Sequence, residues 1–434
     1  MFTRRRFVTR GRITVALAAA VVATLAGAVP AAAQGPVSFY ETPAETSAAE
    51  PGTILRTEPG RIAVSVPTPD GAFPATATKL LYRSTGARDV ANAVSGTYLE
   101  PSLAWRGDGP RPLVAFAPGT QGQGDQCAPS RQLEQLVTYT PPLDVFTEYE
   151  ILSIGALLSQ GIAVVVTDYD GLGTEGIHTY VNREAGGHAV LDAARAARVL
   201  PGTSLTDDSP VGLWGYSQGG GAAASAAELA PTYAPELTLA GTYAGAPPAD
   251  LEATLRQIDG TFLTGAIGYT VNGLAQAYPE YADTIDAVFS DAGKAMLADV
   301  AGQCVAETGL RYGFRSTAEF MQSGEPLDVV LSGLPDVQAL LAEQRIGTAL
   351  PDSPVLIQHG TQDDIVPFGQ GRQLAVDWCE QGADVQFSVN PAPPILPGAA
   401  VGHVVPLLGG LPEAVAYLND RFDGVPAPNN CGAF

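Results

Sequence analysis

The sequence contains few charged residues, and few of these are basic. Charged side chains make up 16% of its 434 residues, with 23 Lys and Arg against 45 Asp and Glu, for a formal net charge of −22. A chain this acidic repels phosphate backbones and anionic lipids, so we expect no nucleic-acid partner. The hydrophobic fraction of 46% is enough for a large core, which excludes disorder for most of the chain.

Cysteine is also scarce, and its four positions lack the Cys-x-x-Cys spacing of a metal site. Four cysteines fit an exported protein with two disulfides, for which the sequence permits three connectivities. A bridge to Cys431, close to the C-terminus, would restrain a tail that otherwise frays. We therefore favour the pairs Cys379–Cys431 and Cys127–Cys304.

The apolar run near the N-terminus falls short of the ~20 strongly apolar residues that a membrane span requires. The run ITVALAAAVVATLAGAVP is interrupted by polar residues and glycine and ends at a proline; arginines precede it and Ala-Ala-Ala follows it. This pattern predicts a cleaved secretory signal over residues 1–33 rather than a membrane anchor. The stretch TRRRF also resembles a twin-arginine export signal. We expect an exported protein whose net charge, without these arginines, falls from −22 to −27.

Residues 34–60 show no sustained periodicity, which predicts an extended arm over the surface. Three strands are predicted next, near RIAVSV, ATKLLYRS and ANAVSGTYL. From residue 111, apolar runs such as LVAFAP, IAVVVTDYDG, VGLWGYS, VLIQHG and VQFSVN alternate with segments of helical periodicity. The alternation predicts an α/β fold, with a mostly parallel sheet covered by helices on both faces.

Residues 251–350 look helical and contain no convincing strand. An insertion of about a hundred residues between two strands of one sheet is too long for a plain loop, so we predict a helical cap. The core domain would then comprise residues 61–250 and 351–434.

The stretch VGLWGYSQGGGAAASAAELA joins an apolar strand to a helix of small residues. A sharp turn from strand to helix strains its central residue, and Cβ atoms two positions to either side would collide with neighbouring elements. Gly215 and Gly219 lack those atoms, so we predict that Ser217 is a nucleophile. The alternative is a glycine-rich helix entry, because a bare G-x-S-x-G arises easily in a chain with 49 glycines.

A serine nucleophile needs a base, and the base needs an orienting carboxylate. In this fold both follow the nucleophile, the acid first. Of the two later histidines, His403 lies in the glycine-flanked loop GAAVGHVVP and is the predicted base, whereas His359 belongs to a strand and is expected to be structural. The turn HGTQDDIVP offers two carboxylates. We prefer Asp363 as the acid and expect Asp364 to cap a helix or lie in a loop.

An oxyanion intermediate requires two amide donors. We predict the N–H of Gln218, which follows the nucleophile, and an N–H from the glycine-rich loop GTQGQGD. There we take Gln121, with Thr120 as the alternative. A phosphate cradle is disfavoured because no GK[ST] follows and the chain is acidic. His178 and His188 precede the nucleophile and are expected to be structural or to line the pocket.

Several motifs together, GTQGQGDQCAPS, DYDGLG, GYSQGG, HGTQDDIVP and GHVVP, resemble the secretory lipases of fungi and bacteria, which are α/β-hydrolases with a helical cap. The resemblance runs from about residue 51 to the C-terminus. It implies an acyl-binding tunnel under the cap, a triad at the three predicted residues, and a disulfide between Cys127 and Cys304 that joins the oxyanion loop to the cap. Lipase A of this family carries an acidic residue where Gln121 stands.

We therefore predict a secreted serine ester hydrolase that cleaves acylglycerols or other lipid esters through an acyl-enzyme, without a metal or an organic cofactor. We expect a monomer that contacts lipid surfaces transiently. A short-chain carboxylesterase, an acyltransferase and an inactive binding protein on the same scaffold are the alternatives. The elbow also resembles that of cutinases, but these are shorter chains without a cap.

Overall fold

The computed structural model describes residues 38–68, 71–135, 137–140, 144–146 and 148–434. The predicted signal over residues 1–33 lies outside the described residues. The strands are β1 Ile54–Gly60, β2 Val66–Thr68, β3 Gly71–Phe73, β4 Ala75–Thr85, β5 Ala91–Pro101, β6 Leu113–Ala117, β7 Thr138–Thr140, β8 Asp144–Phe146, β9 Ala163–Thr167, β10 Val211–Tyr216, β11 Leu239–Gly245, β12 Val355–Gly360 and β13 Val385–Asn390.

Nine of these strands form one sheet in the order β1-β4-β5-β9-β6-β10-β11-β12-β13. The six strands from β9 to β13 in this order run parallel, whereas β1, β4 and β5 pair antiparallel at the other side. The central strands β6, β9, β10 and β12 are buried along their whole length. Strands of a parallel sheet are buried in this way when helices cover both faces, which confirms the predicted α/β class.

The helices are α1 Pro129–Gln132, α2 Ile151–Ser159, α3 Arg183–Val199, α4 Gln218–Tyr233, α5 Leu251–Ile258, α6 Ala266–Ala277, α7 Ala282–Val288, α8 Asp291–Val300, α9 Val305–Tyr312, α10 Leu327–Ser332, α11 Pro335–Glu343, α12 Phe368–Gln381 and α13 Val401–Phe422. Helices α3 and α4 share one apolar cluster with the sheet, and α2 and α13 share another. The sheet therefore has a hydrophobic core on each face.

Seven helices, α5 to α11, lie between β11 and β12; we call them the interstrand helices. Their apolar side chains form a third cluster, which also includes Ile365 and Val366 from the loop after β12. Residues Ser38–Phe434 form one compact unit. The interstrand helices thus pack directly against a loop that carries one of the predicted site residues.

Glu228 of α4 holds the segment that leads from the interstrand helices to β12. Its side chain is fully buried and accepts hydrogen bonds from Arg183 (2.7 Å), the N–H of Gly347 (2.7 Å) and Nε1 of Trp378 (2.9 Å). A buried carboxylate is tolerated when it is paired with a cation and its oxygens are hydrogen-bonded. One side chain therefore joins α4 and α12 to the chain segment that leaves the interstrand helices.

The N-terminal part of the sheet differs from the prediction. The stretch RIAVSV was expected to be a strand, but residues 61–65 form a turn, and the strand is Ile54–Gly60 from the predicted arm. Pro59 and Gly60 weaken the strand pattern of this segment. An edge strand tolerates proline because one of its sides has no partner strand, so pairing with β4 overrides the local sequence.

The last helix also differs, because α13 begins at Val401 and contains His403, which we expected in a loop. Pro406 and several glycines lie in its first half and disfavour a helix when only the local sequence is considered. The buried side chains of Leu407 and Leu418 pack against the sheet. The sequence predicts a helix over EAVAYLNDRF, and this packing extends it towards the N-terminus over a segment whose own pattern does not indicate a helix.

Candidate active site

Ser217 lies at the junction of β10 and α4, in a strained conformation. Its backbone has φ 59° and ψ −123°, a combination that residues with a side chain rarely adopt. Its N–H donates to the carbonyl of Gly245 (2.9 Å), and its own carbonyl accepts from the N–H of Gly221 (3.0 Å). The turn is therefore held on both sides, and the side chain of Ser217 projects from the end of the strand.

The glycines around Ser217 allow this turn because backbones pass where Cβ atoms would stand. A Cβ on Gly215 would lie 2.0 Å from the carbonyl oxygen of Gly219, and a Cβ on Gly219 would lie 2.0 Å from that of Ala117. Because these clashes involve backbone atoms, rotation of a neighbouring side chain cannot relieve them. Gly220 is a third such position, which we did not predict, since a Cβ there would lie 2.1 Å from a backbone oxygen in β11.

His403 and Asp363 form a buried hydrogen-bonded pair. The distance from His403 Nδ1 to Asp363 Oδ2 is 2.7 Å, and the other carboxylate oxygen accepts the N–H groups of Ile365 (2.9 Å) and Val366 (2.8 Å). Burial opposes ionisation of Asp363, but the charge of His403 and hydrogen bonds from histidine hold the pKa of this carboxyl well below its usual range. Asp363 is therefore an anion at neutral pH.

Two further contacts position His403 at the start of α13. Asp364 accepts the backbone N–H groups of Ala400 (3.0 Å) and His403 (3.2 Å), so it has the capping role that we expected of it. Tyr216, the residue before Ser217, donates its O–H to the carbonyl of His403 (2.7 Å). The helix that carries His403 is thus tied to the strand that carries Ser217.

The histidines predicted to be structural are all buried. His359 Nε2 lies 3.0 Å from the carbonyl of Val366 and 3.4 Å from the carboxylate of Asp363, so His359 packs beside the acid. His188 stacks on Tyr233, with ring centroids 3.8 Å apart, in the core of the fold. His178 lies closer to Ser217, because it contacts the side chain of Gln218.

Ser217, Gln218 and Thr120 line a cavity of about 490 Å³. Its other walls are mostly apolar and include Leu251, Leu255, Ile258, Leu263, Ala266, Ile365 and Val366. A second cavity of about 560 Å³, lined almost entirely by apolar side chains, lies within the interstrand helices and shares Leu255 and Thr270 with the first. The two cavities are therefore neighbours that share part of their walls.

The predicted amide donors differ in their surroundings. In the described part of the chain, the N–H groups of Gln218, Thr120 and Gln121 have no hydrogen-bond partner. Thr120 lines the cavity, whereas our preferred Gln121 does not: its carbonyl accepts the N–H of Val305 (2.8 Å), and its side chain is 1% exposed. Thr120 therefore lies at the cavity wall, and Gln121 lies beside it in contact with the interstrand helices.

Both favoured disulfides are formed. Cys127 and Cys304, with Cα atoms 5.5 Å apart, join the segment after β6 to the interstrand helices. Cys379 and Cys431, with Cα atoms 5.6 Å apart, join α12 to the C-terminal tail. Among the described residues, no group of three or more His, Cys, Asp or Glu side chains is placed to hold a metal ion.

His178 and Tyr180 connect the two donor segments, a role that the sequence did not indicate. His178 Nε2 lies 2.8 Å from the side-chain nitrogen of Gln218, its Nδ1 lies 3.0 Å from the carbonyl of Asp170, and Tyr180 Oη lies 2.7 Å from Thr120 Oγ1. An amide nitrogen only donates, so His178 Nε2 accepts and Nδ1 carries the proton. Burial lowers the pKa of His178 to about 4, which keeps it neutral at neutral pH.

Comparison with known proteins points to one family. The family model described as secretory lipase matches residues 139–430. A protein of Mycobacterium tuberculosis named as a probable inactive lipase is 32% identical over 388 residues, which cover 89% of this chain and 82% of that protein. The secreted triacylglycerol lipase of Malassezia furfur is 28% identical over 403 residues, which cover 91% of this chain and 77% of that lipase.

Solved structures share the fold. Lipase A of Candida antarctica, in its closed state, superposes with a TM-score of 0.73 at 24% identity and covers 91% of this chain and 87% of its own. A rice cell wall degrading esterase of Xanthomonas oryzae has a TM-score of 0.69 at 21% identity, over 87% of this chain and 100% of its own. At these identities the likeness concerns the fold alone, which is that of the α/β-hydrolases.

The clash at Gly219 generates a prediction on stability. Gly219→Ala is expected to lower the free energy of unfolding by at least about 3 kcal/mol, the upper end of common overpacking costs, because the new Cβ meets a backbone carbonyl. Gly155→Ala is the control, since Gly155 lies inside α2 with no atom near its Cβ direction. It should stabilise the protein by about 0.5–1 kcal/mol. Denaturant unfolding measures both, and equal stability of the two variants would contradict the steric account.

Proposed function

The chain belongs to the secretory lipase family, and we propose that it hydrolyses carboxylic esters of lipids through Ser217, His403 and Asp363. Membership alone does not carry the proposal, because one relative at 32% identity is named as inactive. The observation that carries it is a serine on a strained turn that opens into a mostly apolar cavity, beside a sheet edge that also supplies a buried histidine–carboxylate pair.

The hydrogen bonds assign the proton on His403 and so its role. The carboxylate of Asp363 only accepts, so His403 Nδ1 carries the proton and Nε2 is free to act as the base. Ser217 Oγ attacks the ester carbonyl while its proton moves to Nε2. His403 then returns this proton to the leaving alcohol oxygen, and the acyl group remains on Ser217. In the second half of the reaction, water gives a proton to the same Nε2 and attacks the acyl carbonyl, and this proton passes to Ser217 Oγ as the acid leaves.

The negative charge that develops on the carbonyl oxygen needs preorganised donors. We assign the N–H of Gln218 as the first donor, since it begins α4 without a partner, and an N–H of the Thr120–Gln121 segment as the second. The bonds from His178 to the Gln218 side chain and from Tyr180 to the Thr120 side chain set the distance between these two segments. The polar groups of the cavity are thus concentrated next to Ser217.

The acyl chain is the part of the substrate that the apolar cavities fit. We propose that the interstrand helices act as the cap predicted for residues 251–350, and that the chain runs from Ser217 past Leu255 into the second cavity. Burial of each CH₂ group there contributes about 0.8 kcal/mol to binding. This favours long-chain lipid esters over short soluble ones, in agreement with the relative that is named a triacylglycerol lipase.

Family membership and the relative named as secreted point to export, and two disulfides fit an oxidising compartment. We propose that residues 1–33 direct this export. Exposed apolar side chains lie near His403 along the chain, including Leu396, Val404 and Leu408. They suit the transient contact with a lipid surface that we expect of a monomeric lipase.

The direct test of the nucleophile is covalent labelling with a fluorophosphonate. The wild-type protein is expected to be labelled and Ser217→Ala to be unreactive. Ser225→Ala is a matched control, because Ser225 lies on the same helix, is buried and has no hydrogen-bond partner among the described residues. Labelling that persists in Ser217→Ala, or is absent from the wild type, would contradict the assignment.

Activity assays on the same wild-type protein distinguish a lipase from a short-chain esterase and from an acyltransferase. Hydrolysis of p-nitrophenyl esters should increase with acyl length, and emulsified triacylglycerol should be a substrate. A maximum at acetate or butyrate without triacylglycerol hydrolysis would indicate a short-chain carboxylesterase. Ester transfer to an added alcohol in excess of hydrolysis would indicate an acyltransferase.

Leu255 gives a prediction on chain-length preference, because it lines both cavities. Leu255→Phe should narrow the passage and lower kcat/KM for dodecanoate relative to butyrate esters by about 10-fold or more, the scale of steric selection in apolar pockets. Leu310→Phe, on the exposed face of α9, should leave this ratio unchanged. An equal loss of kcat/KM on all esters, with an unchanged Tm, would show that the acyl chain of the substrate takes another path.

A further inference from the structure

Two buried carboxyl groups lie behind the loop that carries Thr120. Glu148 is 4% exposed and Glu150 1% exposed. Glu150 Oε2 accepts the backbone N–H of Gly119 (2.6 Å), and Glu148 Oε1 accepts the backbone N–H of Glu150 (3.1 Å). The pair therefore holds the loop by the residue that directly precedes the proposed oxyanion donors.

The fit between the loop and this pair is close. Tyr149, between the two acids, donates its O–H to the carbonyl of Thr120 (3.3 Å). A Cβ on Gly119 would lie 2.5 Å from Tyr149 Oη and 3.2 Å from the carbonyl oxygen of Tyr216. Gly119 is thus enclosed between the acidic segment and the end of β10, so a shift of either acid moves the loop relative to the nucleophile.

The groups that face the two acids provide no positive charge. Asp168 and the amide of Gln121 face Glu148, and the phenols of Tyr169 and Tyr243 face Glu150, with Tyr149 beside both. In the described part of the chain, Glu148 Oε2 and Glu150 Oε1 have no hydrogen-bond partner, and no ion pair involves either acid. Two buried carboxylates without a cation repel each other and are poorly solvated, so at least one holds a proton.

Burial, followed by the neighbouring charge, raises the pKa of Glu150 well above its ordinary range. Burial likewise raises the pKa of Glu148 to about 7, although the N–H of Glu150 and the Gln121 amide partly oppose this rise. Glu148 also lines an open cavity of about 230 Å³ together with Ile62, Gln132 and Leu133, which gives its proton a route to solvent. The charge of the pair therefore changes at accessible pH.

We propose that Glu150 is a positioning residue that fixes the oxyanion loop through Gly119, and that the Glu148–Glu150 pair does so only while it holds a proton. The inference rests on the proposed ester hydrolysis. When hydroxide takes the carboxyl proton, two negative charges face each other behind the loop. Their repulsion displaces the bond to Gly119 and with it the N–H groups of the Thr120–Gln121 segment.

The sign of the pH effect follows from the raised pKa values. A carboxyl whose pKa is higher in the folded than in the unfolded protein stabilises the fold fully below its ordinary pKa, and this stability is lost as pH rises through the folded value. The loss of stability therefore begins above the ordinary pKa of glutamate and is complete only above the raised values, of which that of Glu148 is about 7. The Tm of the wild type should decline over this range, and kcat, which follows the charge of the folded pair, should decline around and above pH 7.

Glu148→Gln and Glu150→Gln test the proposal, because an amide keeps an accepting oxygen but does not ionise. Each variant should shift the alkaline limb of kcat upward by at least one pH unit and reduce the fall in Tm between about pH 5 and pH 8. Glu325→Gln neutralises an exposed acid far along the chain from the pair and should change neither profile. Profiles of the Glu148 and Glu150 variants that superimpose on the wild type would overturn the proposal.

Glu150→Leu removes the acceptor for the N–H of Gly119. It should lower kcat by about 100-fold at pH 6 with little change in KM, the effect of losing one oxyanion donor. A Glu150→Gln variant as inactive as Glu150→Leu at pH 6 would overturn the positioning role. The Tm profiles need no substrate, so a wild-type protein without activity would contradict the proposed function while the proton on the pair is still tested by its stability.

Discussion

The turn at Ser217 depends on backbones that pass closer than any Cβ atom allows. The backbone oxygens of Gly219 and Ala117 occupy the places where side chains at Gly215 and Gly219 would begin. This contact sets the position of α4 against β6 and β10, and thereby the place of the Gln218 N–H beside the loop after β6. The strained φ of Ser217 persists because these contacts, made by buried strands and a buried helix, leave the turn no other path.

The parallel sheet brings the remaining groups to the same edge. The loop with Thr120 follows β6, His178 follows β9, Asp363 follows β12 and His403 follows β13, and the carboxyl ends of these parallel strands meet. The interstrand helices enter after β11, at this same edge, and supply the apolar walls of the cavity. The proposed reaction centre and the apolar cavities are thus adjacent as a consequence of strand order.

The buried acids near the site fall into two groups with opposite shifts of pKa. Asp363 is surrounded by donors, namely two backbone N–H groups and two histidines, and stays ionised at neutral pH. Glu148 and Glu150 face acids, phenols and an amide, and so retain a proton. In the proposed mechanism, the first arrangement orients a base, and the second supports a loop without placing a net charge of −2 behind an oxyanion.

Much of the fold and site follows from local sequence patterns. The order of elements, the elbow with its glycines and the positions of Asp363 and His403 could be predicted because each has a motif or a periodicity. Three features could not be predicted because distant partners decide them. Strand β1 forms because it pairs with β4, and α13 begins at Val401 because it packs on the sheet. The position of Thr120 depends on the contact between its loop and the interstrand helices. The roles of His178 and of the Glu148–Glu150 pair depend on contacts across many residues and have no pattern of their own.

The central claim is that Ser217 attacks an ester whose acyl chain lies among the interstrand helices. A crystal structure of the protein inhibited with a long-chain alkylphosphonate tests it most directly. The account predicts phosphorus bonded to Ser217 Oγ, a phosphonyl oxygen at the N–H of Gln218 and of the Thr120–Gln121 segment, and the alkyl chain beyond Leu255. An adduct on another residue, or an alkyl chain that leaves the cavity without entering the interstrand helices, would contradict it.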